Sequence, residues 1–356
     1  MLFLLVILLI LGLVFPRSRI LFLCQGIFIF FLIGLRVHDP DHYVYQVEYL
    51  SAPSIYYKFA DFPGWNLWMN FFIDRGIAFN SFLLVMAVIC VGLMSFGIYK
   101  IGKHLGEYIS FALSVFLVYP LGHEATQMRT FFADALILVV LPFLLSDEGN
   151  TKKKWLGYAM YFVVVYIATS IHTLAYFFLL VGIIFIYLKS FRYEFQSIVI
   201  ISFIMSVLAN SYLLSSFIGK FLNTGKQSHW LTNSGFSAGK MIPIIITIFI
   251  WLIAYLEINE LRENCDNLNI NKQYLINTQR FMNTIFLLIP LLSYDITFNR
   301  LWRVYLLLEY LITGLYLYGL KDKNSYKKVL VSGLFFFIVI IIYCYENEIT
   351  ITGKLF

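Results

Sequence analysis

MLFLLVILLILGLVF (residues 1–15) and ILFLCQGIFIFFLIGL (20–35) are separated only by PRSR (16–19). Two apolar runs joined by a short basic link form a pair of membrane-crossing helices, because a hydrocarbon core of roughly 30 Å takes roughly 20 apolar residues per helix. The first run has no basic residue ahead of it and no small-residue cleavage site, so it is expected to be a retained helix rather than a signal peptide. Runs of about 16 to 23 apolar residues recur to the end of the chain, too many and too long for the core of a soluble domain. About twelve spans are expected, near 1–15, 20–35, 79–99, 105–121, 129–145, 155–170, 173–188, 196–217, 241–257, 279–294, 301–320 and 328–345. The composition agrees: of 356 residues, 60% are hydrophobic and only 13% charged, with a mean hydropathy of +0.80. A soluble domain carries about 25% charged residues. The expected fold is all-α, a polytopic integral membrane protein forming one transmembrane domain over 1–356, with an outer-face segment at 36–78 that carries interfacial helices and a second outer loop at 218–240.

Orientation follows from the basic residues of the short loops. Arg17, Arg19, Lys100, Lys103, Lys152, Lys153, Lys154, Lys189, Arg192, Lys321, Lys323, Lys327 and Lys328 fall in alternate loops and mark the cytoplasmic side. Adding Arg262, Lys272 and Arg280 puts 16 of the 26 basic residues inside. The exceptions Arg36, Arg129, Arg300 and Arg303 lie at outer helix ends, where an exported arginine calls for an anionic partner.

Several function classes are excluded. The net charge of +6 sits mostly in cytoplasmic loops and needs only anionic lipid headgroups to explain it, so no nucleic-acid partner is expected. No phosphate-binding GxxxxGK[ST] loop and no GxGxxG after a strand occur. Cys24, Cys90 and Cys344 lie in apolar spans and Cys265 in a cytoplasmic loop, leaving no outer pair for a disulfide.

The chemistry-bearing residues lie where the apolar pattern breaks. RVHDPDHYVYQVEYL (36–50) packs Arg36, His38, Asp39, Asp41 and His42 against tyrosines. HDPDH has the composition of a metal cluster, but Pro40 makes its side chains diverge, so no metal site is assigned. Asp39 or Asp41 instead orients a hydroxyl or pairs with Arg36. FPGWNLWMNFFID (62–74) spaces Trp65, Trp68 and Phe71 or Phe72 as on a helix lying in the interface; with Tyr45 and the preceding Asp61, Trp65 is a candidate to grip a sugar ring. Arg129 follows GHEATQM at the start of a span that also contains Asp134. Arg300 and Arg303 in FNRLWRVY stand three apart on one helical face, and two guanidinium forks suit a pyrophosphate. Snorkelling to headgroup phosphates accounts equally for a single outer arginine. His172, in ATSIHTLAYF at a tight outer turn, reads either as a general base for a sugar hydroxyl or as a packing residue.

Taken in order, these pieces resemble the EpsG-like or Wzy-like membrane proteins that polymerise the repeat units of exopolysaccharide, capsule or O-antigen. The resemblance rests on Arg36, Asp41, Tyr45 and Tyr49 in the first outer segment, Asp61 with Gly64 to Trp68, QMRTFFADALIL with Arg129, SIHTLAYFFLL with His172 and NRLWRVYLLLEY with Arg300 and Arg303. The chain departs from the pattern in having HDP before the aspartate and Asp61 where a glutamate is usual. The resemblance implies a membrane glycosyltransferase on the outer face of the bacterial plasma membrane. It joins undecaprenyl-pyrophosphate-linked oligosaccharides as donor and acceptor without a cofactor, with membrane lipids, a chain-length regulator and a flippase as further partners. Arg129, Arg300 and Arg303 then stabilise the departing pyrophosphate, Arg36 holds the second lipid pyrophosphate, and His172, Asp41 or Asp39 takes the acceptor proton. Two alternatives remain: a flippase for the same lipid-linked sugars, which calls for two related halves and charges along a central cavity, and a metal-dependent transferase from a lipid-phosphate sugar, which makes Asp39 and Asp41 metal ligands.

Overall fold

The computed structural model describes residues 2–35, 41–54, 62–146, 151–188, 193–209, 238–320 and 325–346. Among the described residues every regular element is an α-helix or a 3-10 turn, as a chain in hydrocarbon requires when each backbone group must find its partner locally. In chain order the helices are α1 (Leu2–Val14), α2 (Arg19–Gly34), α3 (His42–Ser51), α4 (Pro63–Ile73), α5 (Phe79–His104), α6 (Ile109–Val118), α7 (Leu121–Thr126), α8 (Met128–Leu145), α9 (Thr151–Ile171), α10 (Tyr176–Tyr187) and α11 (Glu194–Ala209). They continue, beside the single helical turn Cys265–Leu268, with α12 (Ala238–Glu263), α13 (Lys272–Asn283), α14 (Leu288–Tyr294), α15 (Trp302–Gly319) and α16 (Ser325–Tyr345).

Among the described residues, six spans are long and apolar enough to cross a membrane: 79–104, 128–145, 151–171, 240–263, 272–294 and 326–345. Each overlaps an expected span. The described parts of the other six expected spans are not among them, and residues 210–217 of the span expected at 196–217 lie outside the described residues. Leu2–Val14, Arg19–Gly34, Ile109–Val118, Thr173–Tyr187 and Glu194–Ser206 are apolar but shorter, at 10 to 17 residues, and α15, though 18 residues long, is not among the six. The run expected at 105–121 breaks at Tyr119–Pro120, a cis peptide bond, and resumes as α7. Residues 218–237 of the expected outer loop lie outside the described residues.

Burial separates a lipid-facing rim from a packed centre. On α1, Phe3 is 79% exposed and only Leu5, Leu8 and Gly12 are buried. At the opposite extreme, every residue of α15 from Trp302 to Tyr316 is buried. A helix apolar on all sides can lie at a bundle's rim, but one carrying Arg303 and Glu309 has to be enclosed, because charge facing lipid costs several kcal/mol. Close approach supplies much of the packing where lipid removes the usual hydrophobic driving force. At Gly97 on α5 an added Cβ would stand 2.8 Å from the backbone carbon of Leu138 on α8.

The helix directions bring two sets of ends together. Arg17, Arg19, Glu107 and Tyr108 meet at one end, where Arg19 donates to both Glu107 oxygens at 2.6 to 3.1 Å. The starts of α8 and α15, the end of α9 and α3 meet at the other. The short helices α3 and α4 occupy the segment expected to carry interfacial helices, and Tyr49 on α3 donates to Ile77 O at 2.7 Å, tying α3 to the entrance of α5.

Candidate functional site

Local chain chemistry places the site residues at this second end. α9 stops at Ile171, and His172 caps the following 3-10 turn: its Nδ1 accepts the Leu174 N–H at 3.2 Å. Asp295 does the same for the 3-10 turn Ile296–Leu301, accepting the Thr297 N–H at 2.7 Å, and Arg300 lies on that turn. Arg129 occupies the first turn of α8, where the helix N-terminus adds its own positive potential.

Arg129 and His172 share one aromatic neighbour. The Arg129 guanidinium lies over the Phe62 ring at 4.3 Å from its centre, and the His172 ring is 5.7 Å from the same ring. Arg129 also contacts Glu48 at 3.2 Å, and its Nε has no hydrogen-bond partner among the described residues. Arg300 is half-buried, and among the described residues its side chain has no hydrogen bond or ion pair; the charges acting on it are those of Arg303, Tyr45, Asp41 and Glu346. Burial and Arg303 lower its pKa, yet a guanidinium stays charged in any protein environment.

The His172 imidazole is held down to a pKa of about 3, first by burial and then by the charges of Arg129, Arg300 and Arg303. It is therefore neutral near pH 7. With Nδ1 accepting a backbone N–H, the single proton of a neutral ring sits on Nε2, so the free edge of His172 is a donor.

Behind these groups lies a buried polar layer. Arg303, 0% exposed, donates through Nη2 to Gln127 Oε1 at 2.8 Å and faces Glu124 Oε1 at 3.6 Å. Burial pushes the Glu124 carboxyl up to about 7 against the opposing pull of Arg303. His123 Nε2 meets Glu346 at 3.2 Å, Asn299 Nδ2 donates to the same carboxylate, and burial with the Arg303 charge holds His123 down to about 3. Asp134 is buried within the fields of Glu124 and Arg303, and its Oδ2 has no partner among the described residues.

Several expectations need correction. Arg303, expected beside Arg300 as an anion ligand, is wholly enclosed and engaged by Gln127 and Glu124. Arg300 sits on a 3-10 turn and Arg303 on the α-helix that follows, so three-residue spacing does not leave both open. Trp65 and Tyr45, expected to grip a sugar, are 1% and 5% exposed. Trp65 packs edge-on against Tyr45 and Phe82 and has no face left for a sugar. Asp41 stands at the start of α3, near enough for its charge to act on Arg300. Arg36, Asp39 and Asp61 lie outside the described residues. His123, Glu124, Gln127 and Glu346 were not singled out in the sequence, although GHEATQM holds two ionisable residues between apolar runs, a costly placement that marks a buried polar network.

A helical bundle with a lipid-facing rim and guanidinium groups gathered at one end defines an integral membrane protein with a cationic cluster at that end. The EpsG family model matches residues 19–351, nearly the whole chain. The chain belongs to the EpsG family, a Wzy-like polymerase family, and the membership suggests a polysaccharide polymerase-type role. No curated protein matches it. No solved structure matches it either.

Proposed function

We propose that the protein joins undecaprenyl-pyrophosphate-linked oligosaccharide repeat units into surface polysaccharide, by metal-independent glycosyl transfer at the outer face of the bacterial plasma membrane. One observation carries this reading: the charges of Arg129, Arg300 and Arg303 act together on the buried His172 ring, and the Arg300 side chain has no hydrogen bond or ion pair among the described residues. A half-buried guanidinium that no protein carboxylate contacts directly is a binding group for an anion. The acceptor hydroxyl attacks the anomeric carbon of the donor sugar as the bond from that carbon to the pyrophosphate oxygen breaks, and the departing pyrophosphate keeps the electron pair. Arg129 and Arg300 stabilise the charge that grows there, more strongly in a dehydrated site than in water. His172 donates Nε2–H to the substrate, and Asp41, with Asp39 as the other outer-segment carboxylate, takes the acceptor proton. Gln127 and Glu124 hold Arg303 as a fixed charge behind Arg300. Acceptor lipid, chain-length regulator and flippase are the partners this role calls for, with Arg36 the candidate for the second pyrophosphate.

The test is polymer synthesis in cells lacking the native gene, with lipid-linked glycan extracted and sized. R129A and R300A should abolish polymer while lipid-linked single units accumulate on the outer leaflet, and lysine at either position should restore little because it lacks the fork. Normal polymer from both variants overturns the proposal; single units trapped on the inner leaflet point to a flippase. Purified enzyme should keep its activity in excess EDTA, whereas loss on chelation with recovery by Mg²⁺ would make Asp39 and Asp41 metal ligands.

A further inference from the structure

A second polar constellation lies between α12 and α15, deeper than the arginine chamber. Trp302 Nε1 donates to Thr247 Oγ1 at 2.9 Å, Thr313 Oγ1 to Glu257 Oε2 at 2.9 Å and Tyr316 OH to Glu260 Oε2 at 3.1 Å. The sequence separations are 55, 56 and 56, so the two helices run parallel in a fixed register. Between the first and second of these links stands Glu309, one turn before Thr313 on the same face of α15. Glu257 and Glu309 are 0% and 1% exposed. Glu257 keeps one oxygen without a donor, Glu309 has none for either oxygen, and neither has an ion-pair partner among the described residues. Glu309 is near enough for the Glu257 charge to act on it.

Two carboxylates that feel each other's charge in a dry interior disfavour ionisation of both. Hydrophobic helix contact does not need them, and the Thr313 hydroxyl serves one oxygen of four. A proton on one carboxyl turns an orphaned acceptor into a donor. We infer that Glu257 and Glu309 form a proton-binding site in the membrane interior, the O–H of one donating to an oxygen of the other. The step is a reversible transfer of H⁺ from water to a carboxylate oxygen. One turn further along, Tyr316 and Glu260 lead to Lys327, 2.8 Å from Glu260 and half exposed at the end of the bundle opposite Arg129. The site exchanges its proton with that end. The titratable groups on surrounding elements have other partners: Tyr305 pairs with Thr284, Tyr310 with Tyr119 O and Arg280 on α13 with Glu194, while Asp134 on α8 belongs to the Arg303 layer.

Infrared difference spectroscopy on the purified full-length protein tests this. Wild type minus E309Q, and wild type minus E257Q, should each contain the C=O band of a protonated carboxylic acid at neutral pH, shifted in D2O and lost as pH is raised. Added NaCl should leave the band unchanged. Difference spectra containing only carboxylate bands at neutral pH overturn the inference, and a carboxylate band that responds to Na⁺ reassigns the pair to a metal cation. Should either variant fail to reach the membrane, wild-type protein treated with a hydrophobic carbodiimide, which reacts with protonated carboxyls, is mapped by mass spectrometry. Adducts at Glu257 or Glu309 that decline as pH rises are expected, and adducts at Asp134 with none at this pair count against it.

Discussion

His172 shows how one backbone contact fixes the chemistry available to a side chain. Because Nδ1 is occupied by the Leu174 N–H, an amide that offers N–H in the direction of Nε2 should replace the imidazole better than a methyl group. H172Q is expected to keep substantial polymerase activity and H172A to lose about 10- to 100-fold, the worth of one hydrogen bond to a charged group at 1.5–3 kcal/mol. Equal loss in both variants, with normal binding of lipid-linked substrate, would restore the general-base role. The same residue governs behaviour in acid. An unfolded imidazole titrates near 6.5 and the folded His172 near 3, so between those values the unfolded chain binds the extra proton and stability falls as pH falls. Glu124 acts in the opposite sense: its folded value of about 7 lies above that of a free glutamate carboxyl, so its contribution is lost as pH rises through that window. Thermal midpoints measured from pH 7 to pH 4 should therefore fall less steeply for H172Q than for wild type. Which arginine binds and which supports was not legible in FNRLWRVY, since that difference depends on the switch from 3-10 turn to α-helix at Trp302 and on partners, Gln127 and Glu124, that lie 176 and 179 residues away in sequence.

At the scale of elements, α4 is held to the end of α9 by an absence of side chain. A Cβ on Gly64 would stand 2.1 Å from Ser170 Oγ and 3.1 Å from the Ser170 carbonyl carbon, so any larger residue pushes α4 outward and carries Phe62 away from Arg129 and His172. G64V should lower polymer yield at least about tenfold, since a misplacement of 1 Å costs about 10² in rate, while membrane levels stay near normal. S170G should recover part of the activity of G64A by removing the nearest atoms; no recovery would mean that the contact is not what positions Phe62. In contrast, Gly97 is a packing position between α5 and α8, and G97L should cost about 1–3 kcal/mol of stability through overpacking, read as reduced membrane level and activity together. Hydropathy located the six full-length spans because a long apolar run needs only counting. The remaining expected spans are shorter apolar helices or, in α15, a helix that carries charge, because a run's length does not reveal where a helix ends, as α6 does at Val118.

For the whole molecule, the alternation of basic loops predicts that single cysteines at Ser54 and Ser228, in a protein lacking native cysteines, react with an impermeant thiol reagent in intact cells. A cysteine at Asn150 should not. Labelling at Asn150 alone inverts the orientation and moves the arginine chamber to the cytoplasm. The layer behind that chamber has a consequence for how the molecule is built. Arg303 reaches Gln127 and Glu124, Glu346 reaches His123, Tyr310 OH donates to Tyr119 O at 3.0 Å and Asn277 Nδ2 donates to Leu145 O at 2.8 Å. Every one of these links joins a residue before α11 to one after it. Neither portion alone assembles the cationic chamber, so two fragments divided between α11 and α12 and produced together should recognise each other in the bilayer and restore polymer, while either fragment by itself is inert.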